Sequence, residues 1–310
     1  MPTKRLLIVD DLHPLFKQEA EALGYVVSDE PLFTREQTLA SIKEYEGLAI
    51  RTKFQVDREL LDAAPNLIWI ARAGAGMDNI DEAYAKAKGI QCINAPEGNA
   101  DSVGEHALGM LLALLNKFRQ ADIQIRTGIW DRESNRGWEL KGRTVGIIGY
   151  GHMGQAFAQK LQGFGVQVLA YDKYKTGFSD AFAKEVSMEE IVKHSDILSL
   201  HVPLTRETKH LVNQEYLYHF RKPIFLLNTA RGEVVDTLAL VKALKEGKVL
   251  GAGLDVLETE KFPALGEERW YAELLAQSNV LLSPHVAGWT QESYRKLSEV
   301  LAEKLKNLQI

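Results

Sequence analysis

Short apolar runs alternate with helix-period segments along the whole chain. In the first third, strands fit at 6–9, 48–50, 67–71 and 91–93, with helices between them, for instance at 15–23 and 81–88. The segment 99–118 (NADSVGEHALGMLLALLNKF) has the pattern of a long helix. Asp101 or Ser102 can cap it, and Glu105 completes a capping box with Ser102. It is apolar nearly all round, so it is expected to be buried between domains or between subunits. A second alternation starts at Thr144, with strands at 144–148, 166–171, 196–201, 224–228, 251–255 and 279–283. The last segment, 290–308, is amphipathic, with Tyr294, Leu297, Val300, Leu301, Leu305 and Leu308 on one face. It is expected to return to the first domain. Strands alternating with helices throughout predict an α/β fold with parallel sheets.

A chain of 310 residues is long for one hydrophobic core, so two domains are expected. A net charge of -5 argues against nucleic acid or an anionic membrane as main partner, but not against a small anion held by local basic groups. The apolar run at 6–9 is followed by Asp10 and Asp11 and is too short for a signal peptide. The most apolar helical stretch, 107–115, is far below membrane-spanning length. One cysteine, Cys92, precludes an internal disulfide and fits a reducing compartment. A cytoplasmic protein without a metal site is expected.

The first candidate chemistry is VGIIGYGHMG (145–154), a G-x-G-x-x-G pattern at Gly149, Gly151 and Gly154. An expected strand leads into it, an expected helix at 152–164 leaves it, and the next strand ends in Asp172. The first glycine allows a tight turn, the second lets a pyrophosphate approach the backbone, and the third lets helix and strand pack closely. The helix N-terminus offers free N–H groups to phosphates. Asp172 suits the adenosine ribose hydroxyls and would repel a 2′-phosphate, which favours NAD over NADP. Lys173 and Lys175 weaken that preference.

Ligands of open parallel sheets bind beyond the carboxyl ends of the strands. Arg231, Glu260 and His285 each follow a different strand of the second series. Together they suit hydride transfer between a 2-hydroxy acid and its 2-oxo acid. A histidine can exchange the alcohol proton, a carboxylate can orient it and favour its charged form, and an arginine can clamp the substrate carboxylate.

Seven blocks carry a wider resemblance: 71–81 (ARAGAGMDNID), 99–115, 145–154, 200–213 (LHVPLTRETKHLVN), 226–236 (LLNTARGEVVD), 251–260 (GAGLDVLETE) and 282–288 (LSPHVAG). In this order they resemble the D-isomer-specific 2-hydroxyacid dehydrogenase family. The resemblance implies two Rossmann-like or flavodoxin-like domains. An NAD-binding domain at 100–286 would be inserted into a substrate domain made of 1–99 and 287–310. It implies His285 as acid/base, Glu260 as its partner and Arg231 as the substrate-orienting arginine. It implies cofactor contacts at Gly149, Gly151, His152, Met153, Gly154, Asp172, His201, Pro203, Thr208, Thr229, Ala230, Asp255 and Gly288. Ala73, Gly74, Ala75 and Gly76 would receive the substrate carboxylate on their backbone. Lys261 stands where many members have proline, which leaves Glu258 as an alternative to Glu260.

Within the family the chain most resembles the phosphoglycerate dehydrogenases, through Arg51 in AIRTK and Arg72 in ARAGAG. A phosphorylated substrate needs cations beyond Arg231. Arg51, Lys53 and Arg72 are candidates, and Arg132 or Arg136 could come from a second subunit. The resemblance implies serine biosynthesis and a homodimer through the 102–115 helix region, and with the last residue at Ile310 the C-terminal regulatory domain of longer phosphoglycerate dehydrogenases is not expected. A glyoxylate/hydroxypyruvate reductase is the main alternative. D-lactate dehydrogenase is less favoured because the candidate site is basic, and formate dehydrogenase because that branch pairs its histidine with glutamine. An NAD-sensing corepressor-like binding protein is the alternative from a different class.

Overall fold

A computed structural model describes residues 4–308. The chain folds as two compact units, one running to Ala100 and resuming at Gly288, the other Asp101–Ala287.

The first unit is built on five parallel strands: β1 (Arg5–Ile8), β2 (Val26–Asp29), β3 (Gly47–Ile50), β4 (Trp69–Arg72) and β5 (Gln91–Asn94), in the order β2-β1-β3-β4-β5. The order reverses between β1 and β3, and the loops after these two strands therefore open beside each other. Helices cover both faces. Leu6, Ile8, Phe16 and Trp69 pack on one side with Leu297, Leu301 and Leu305 of the closing helix Gln291–Lys306. Leu7, Leu48, Ile50 and Ile70 pack on the other with Leu60 and Leu61. The closing helix is started by Thr290, which forms a capping box with Ser293.

Three elements of this unit lie outside the expected pattern. Strand β2 is an edge strand in which Val26 is exposed and Ser28 is polar, so it lacks an apolar run. The short helices Arg35–Ser41 and Arg58–Asp62 are marked less by periodicity than by their caps, Thr34 and Asp57.

The long helix runs Pro96–Leu115, not 99–118. Proline tolerates the first helical position, where its missing N–H has no partner to lose, so the helix starts before Asp101 and Ser102, and neither is its cap. Lys117 adopts the left-handed conformation with φ 53° and starts a separate helix, Phe118–Arg126.

The second unit carries seven parallel strands: β6 (Thr144–Ile148), β7 (Gln167–Tyr171), β8 (Lys184–Glu185), β9 (Ile197–Leu200), β10 (Ile224–Asn228), β11 (Val249–Leu254) and β12 (Val280–Leu282). Their order is β12-β11-β10-β9-β6-β7-β8, so β6 pairs with both β7 and β9 and the order reverses there. The glycine-rich turn follows β6, at the switch point where such sheets hold nucleotides. Strand β8 has only two residues and no apolar run to announce it. The helix after the turn ends at Lys160, before the expected 164.

The apolar character of 102–115 has a local explanation. Ala107, Met110, Leu111, Leu114 and Leu115 are buried within this unit against Val145, Ile147, Phe157 and Phe225. The exposed apolar side chains lie further on, at Phe118, Ile123, Ile125, Ile129 and Trp130. Among the described residues, no helix is long and apolar enough to cross a membrane, and no cluster of three or more His, Cys, Asp and Glu could hold a metal.

Leu301 is fully buried between the closing helix and the first sheet. Leu301→Ala is expected to lower unfolding free energy by about 2–5 kcal/mol, measurable by urea titration with fluorescence. A loss below a few tenths would mean that the tail does not support this unit.

Candidate active site

The three glycines of the turn do different physical work. Gly149 has φ +90°, and a Cβ there would lie 2.4 Å from the His201 carbonyl oxygen. A Cβ on Gly154 would lie 2.1 Å from the Gly149 carbonyl oxygen, so the helix can sit this close only with glycine. At Gly151 a Cβ would meet nothing within 4 Å, which leaves open space over the turn. Gly151 precedes the helix His152–Lys160 without a side-chain cap, so no side chain takes the N–H groups of the first turn at His152, Met153 and Gly154. Asp172 lies at the edge of this turn. Its Oδ2 accepts from the Tyr150 N–H at 2.9 Å and its Oδ1 from the Tyr174 N–H at 3.0 Å.

The strand ends beside the turn carry polar atoms that the protein itself leaves unsatisfied. His201 Nδ1 and Thr229 Oγ1 are buried without a hydrogen-bond partner. His201 Nε2 lies 2.8 Å from Ser199 Oγ, and burial pushes the His201 pKa down to about 4. Thr208 donates to the Pro203 carbonyl at 2.6 Å and closes the loop between them. An open cradle, an anchored acid and unsatisfied polar atoms on adjacent strand ends fit a dinucleotide.

The candidate trio follows three neighbouring strands, β10, β11 and β12. His285 Nδ1 lies 3.0 Å from Glu260 Oε2, and both side chains are partly exposed. Glu258 is committed elsewhere. It contacts His210 Nε2 at 2.9 Å and accepts from the Thr237 N–H at 2.8 Å. The geometry therefore pairs Glu260, not Glu258, with His285.

His285 has φ +55°, a conformation that non-glycine residues adopt at a cost of about 1–3 kcal/mol. Asp255, 1% exposed, holds it there. Its carboxylate accepts from Val286 N–H at 2.9 Å, Ala287 N–H at 2.8 Å and Ser283 Oγ at 2.5 Å, while its carbonyl accepts from His285 N–H at 2.7 Å. Two supporting residues were not expected: Ser283, and His106 with Nε2 2.9 Å from Ser283 Oγ. A lone histidine within the apolar run EHALGMLLALL was the available signal.

Arg231 sits in a turn shaped by Asn228. The Asn228 Oδ1 accepts from Ala230 N–H at 3.0 Å and its Nδ2 donates to the Arg231 carbonyl at 2.9 Å. The next residue, Gly232, presses on the loop after β11. A Cβ there would lie 1.9 Å from the Leu257 carbonyl carbon and oxygen.

In the first unit, Asp10 Oδ2 accepts from the N–H groups of Arg51, Thr52 and Lys53 at 2.9–3.1 Å and so fixes the loop after β3. The Arg51 guanidinium lies 3.5 Å over the Trp289 ring, and burial lowers its pKa against the opposing pull of Asp10 and Asp11. Lys53 is turned into the protein, donating to the carbonyls of Val9 and Pro31. The Arg72 guanidinium lies across Gly74, where a Cβ would be 1.5 Å from its Nη1. The loop at Ala73, Gly74, Ala75 and Gly76 is held by Ala95 N–H to the Gly74 carbonyl at 2.9 Å and Asn94 Nδ2 to the Ala75 carbonyl at 2.6 Å. Gly288 lies in this unit and accepts from Ser293 Oγ at 2.9 Å. In the second unit Arg132 is exposed, and Arg136 pairs with Glu133 at 2.7 Å.

Residues 108–287 match the family model described as D-isomer specific 2-hydroxyacid dehydrogenase, NAD binding domain. The chain belongs to the D-isomer-specific 2-hydroxyacid dehydrogenase family. It is similar to a hydroxypyruvate reductase of Thermotoga maritima, 38% identical over 271 residues covering 87% of each chain. It is also similar to a D-3-phosphoglycerate dehydrogenase of Methanocaldococcus jannaschii, 35% identical over 98% of this chain and 57% of that one. Among solved structures, the Aquifex aeolicus D-lactate dehydrogenase complexed with NAD and lactic acid superposes with a TM-score of 0.82 at 30% identity, over 98% of this chain and 94% of the other. The chain is thus an NAD-dependent oxidoreductase of the 2-hydroxyacid class, with two parallel-sheet α/β units.

Two consequences are measurable. Gly232→Ala must displace backbone, so it is expected to lower the melting temperature by several degrees and activity with it; an unshifted melting curve would contradict the close approach. His201 is depressed to about 4 in the folded protein, against about 6.5 unfolded. The unfolded chain then binds its proton first, so this contribution to stability is present above about pH 6.5 and is lost as pH falls toward 4. Urea unfolding between pH 7 and 4.5 should show a smaller acid loss in His201→Asn than in the parent.

Proposed function

We propose that the chain interconverts 3-phosphoglycerate and 3-phosphohydroxypyruvate, the reaction that opens serine biosynthesis. The observation that carries this reading is Arg51. Its guanidinium is partly buried, stacked on Trp289 and held in a loop anchored by Asp10. Burial is the largest influence on its charge and outweighs the pull of Asp10 and Asp11, so an anionic substrate group would offset that desolvation. Arg231 and the backbone at 73–76 answer to the substrate carboxylate. Arg51, with Arg72 on the adjacent strand end, then answers to a second anionic group. A hydroxypyruvate or glyoxylate reductase is the second reading. Lys53 favours it, because its ammonium is taken up by two carbonyls and the basic set is smaller than its sequence suggests.

Bound NAD supplies the hydride acceptor or donor for C2 of the acid. In reduction, His285 delivers the proton to the oxygen formed at C2, and in oxidation it takes that proton back. Glu260, on Nδ1, keeps the ring oriented with Nε2 toward the substrate. Arg231 clamps the carboxylate and polarises the oxo group. Asp172 takes the adenosine ribose hydroxyls. Asp255 holds the loop of His285 in its strained form.

We also infer a homodimer. Phe118, Ile123, Ile125, Ile129 and Trp130 are exposed apolar side chains just beyond the 102–115 helix that a second copy would cover. The lone Cys92 suits work in a reducing cytoplasm.

Initial rates with NADH on 3-phosphohydroxypyruvate, hydroxypyruvate, glyoxylate and pyruvate test the substrate. The phosphorylated acid should lead by about 10–100-fold in kcat/KM, the worth of one or two charge-assisted contacts, and Arg51→Gln should remove most of that lead. Equal rates on hydroxypyruvate would favour the reductase reading. His285→Gln should lower kcat by about 10²–10⁴-fold with NADH binding retained. Tight NADH binding without turnover of any oxo acid would instead revive a binding protein of the corepressor kind. Sedimentation should show a dimer that Trp130→Asp weakens.

A further inference from the structure

The strand β7 ends in Asp172, and two lysines follow it, Lys173 and Lys175. Cations at this point of a dinucleotide fold can neutralise a 2′-phosphate and admit NADP. Both lysines are engaged within the protein. The Lys173 ammonium lies 2.6 Å from Glu207 Oε2. The Tyr174 hydroxyl donates to the same oxygen at 2.9 Å. Lys175 donates to the Tyr150 carbonyl, inside the glycine turn, at 2.9 Å. Lys173 thus has its charge matched by an acid from the loop after β9, and Lys175 serves to hold the turn.

We propose that Glu207 is a cofactor-discriminating residue, which excludes NADP by engaging Lys173. This rests on the reading that Asp172 marks the adenosine ribose. Asp172 alone would repel a 2′-phosphate, but an adjacent free lysine would offset that repulsion. Glu207 removes the offset. The pair is exposed, so it contributes little to folding, and its effect is expected in the cofactor ratio.

The test is the dissociation constants of NADH and NADPH, measured by nicotinamide fluorescence on the whole protein, with kcat/KM for both. Four proteins are compared: the parent, Glu207→Gln, Lys173→Ala and the double variant. Glu207→Gln should raise the NADPH:NADH affinity ratio by about 5–20-fold, since freeing one charge contact is worth roughly 1–2 kcal/mol. In the Lys173→Ala background the same change should give at most a small part of that gain. An unchanged ratio in Glu207→Gln would overturn the proposal. An equal gain without Lys173 would also overturn it, because bulk charge and not the pair would then be responsible. Asp172→Ala separates this from the underlying reading. If that variant leaves the NADPH:NADH ratio unaltered, the ribose does not sit at Asp172, and both statements fall.

Discussion

Everything at the candidate active site depends on how one buried carboxylate is satisfied. Asp255 lies beyond the end of β11 and is almost fully excluded from solvent. An ionised group in such a place is costly unless hydrogen bonds replace its water. Here the replacements are the N–H groups of Val286 and Ala287 and the hydroxyl of Ser283. All three belong to the loop that carries His285, and each bond fixes that loop a little more. The left-handed conformation of His285 is held by this arrangement, because relaxing it would strip partners from a buried charge. His106 extends the same network through Ser283.

The device recurs. Asp10 follows β1 and takes three consecutive N–H groups from the loop after β3. Asp172 follows β7 and takes the N–H of Tyr150 in the glycine turn and that of Tyr174. In each case an aspartate just past a parallel strand organises the functional loop of a neighbouring strand or its own. The topology makes this possible, since parallel strands end side by side and leave unpaired N–H groups at one edge. Close backbone approach adds to it, as where Gly232 rests on Leu257 and ties the Arg231 turn to the loop of Glu260.

How much of this was legible in the sequence differs by element. Core strands such as β6 and β10 show as continuous apolar runs because both of their faces are covered. Edge strands β2 and β8 do not, because half their surface meets solvent. The start of the long helix was misplaced because Asp101 and Ser102 look like caps, while Pro96 acts as the true first residue. The residues of the trio were visible from their places after strands, but choosing Glu260 over Glu258 needed coordinates. Both acids lie in the same loop, and only geometry shows that one meets His285 and the other His210. The satisfying partners of Asp255 and Asp10 were hidden for the same reason, since backbone N–H groups carry no sequence signature.

The division between buried support and exposed chemistry explains why the site can be both strained and workable. Glu260 and His285 are partly open to solvent, where an ion pair contributes about 0–1 kcal/mol to folding. Their pairing therefore governs the orientation of the imidazole more than the stability of the fold. The conformational cost of presenting that imidazole is met one layer below, by Asp255 in a dry environment where each hydrogen bond counts for more. The first unit shows the same layering. Asp10 fixes the backbone of its loop while the Arg51 guanidinium, stacked on Trp289, keeps a partly buried charge whose desolvation outweighs the pull of Asp10 and Asp11. A charge left in that state raises the energy of the unliganded protein and falls in energy when an anion arrives.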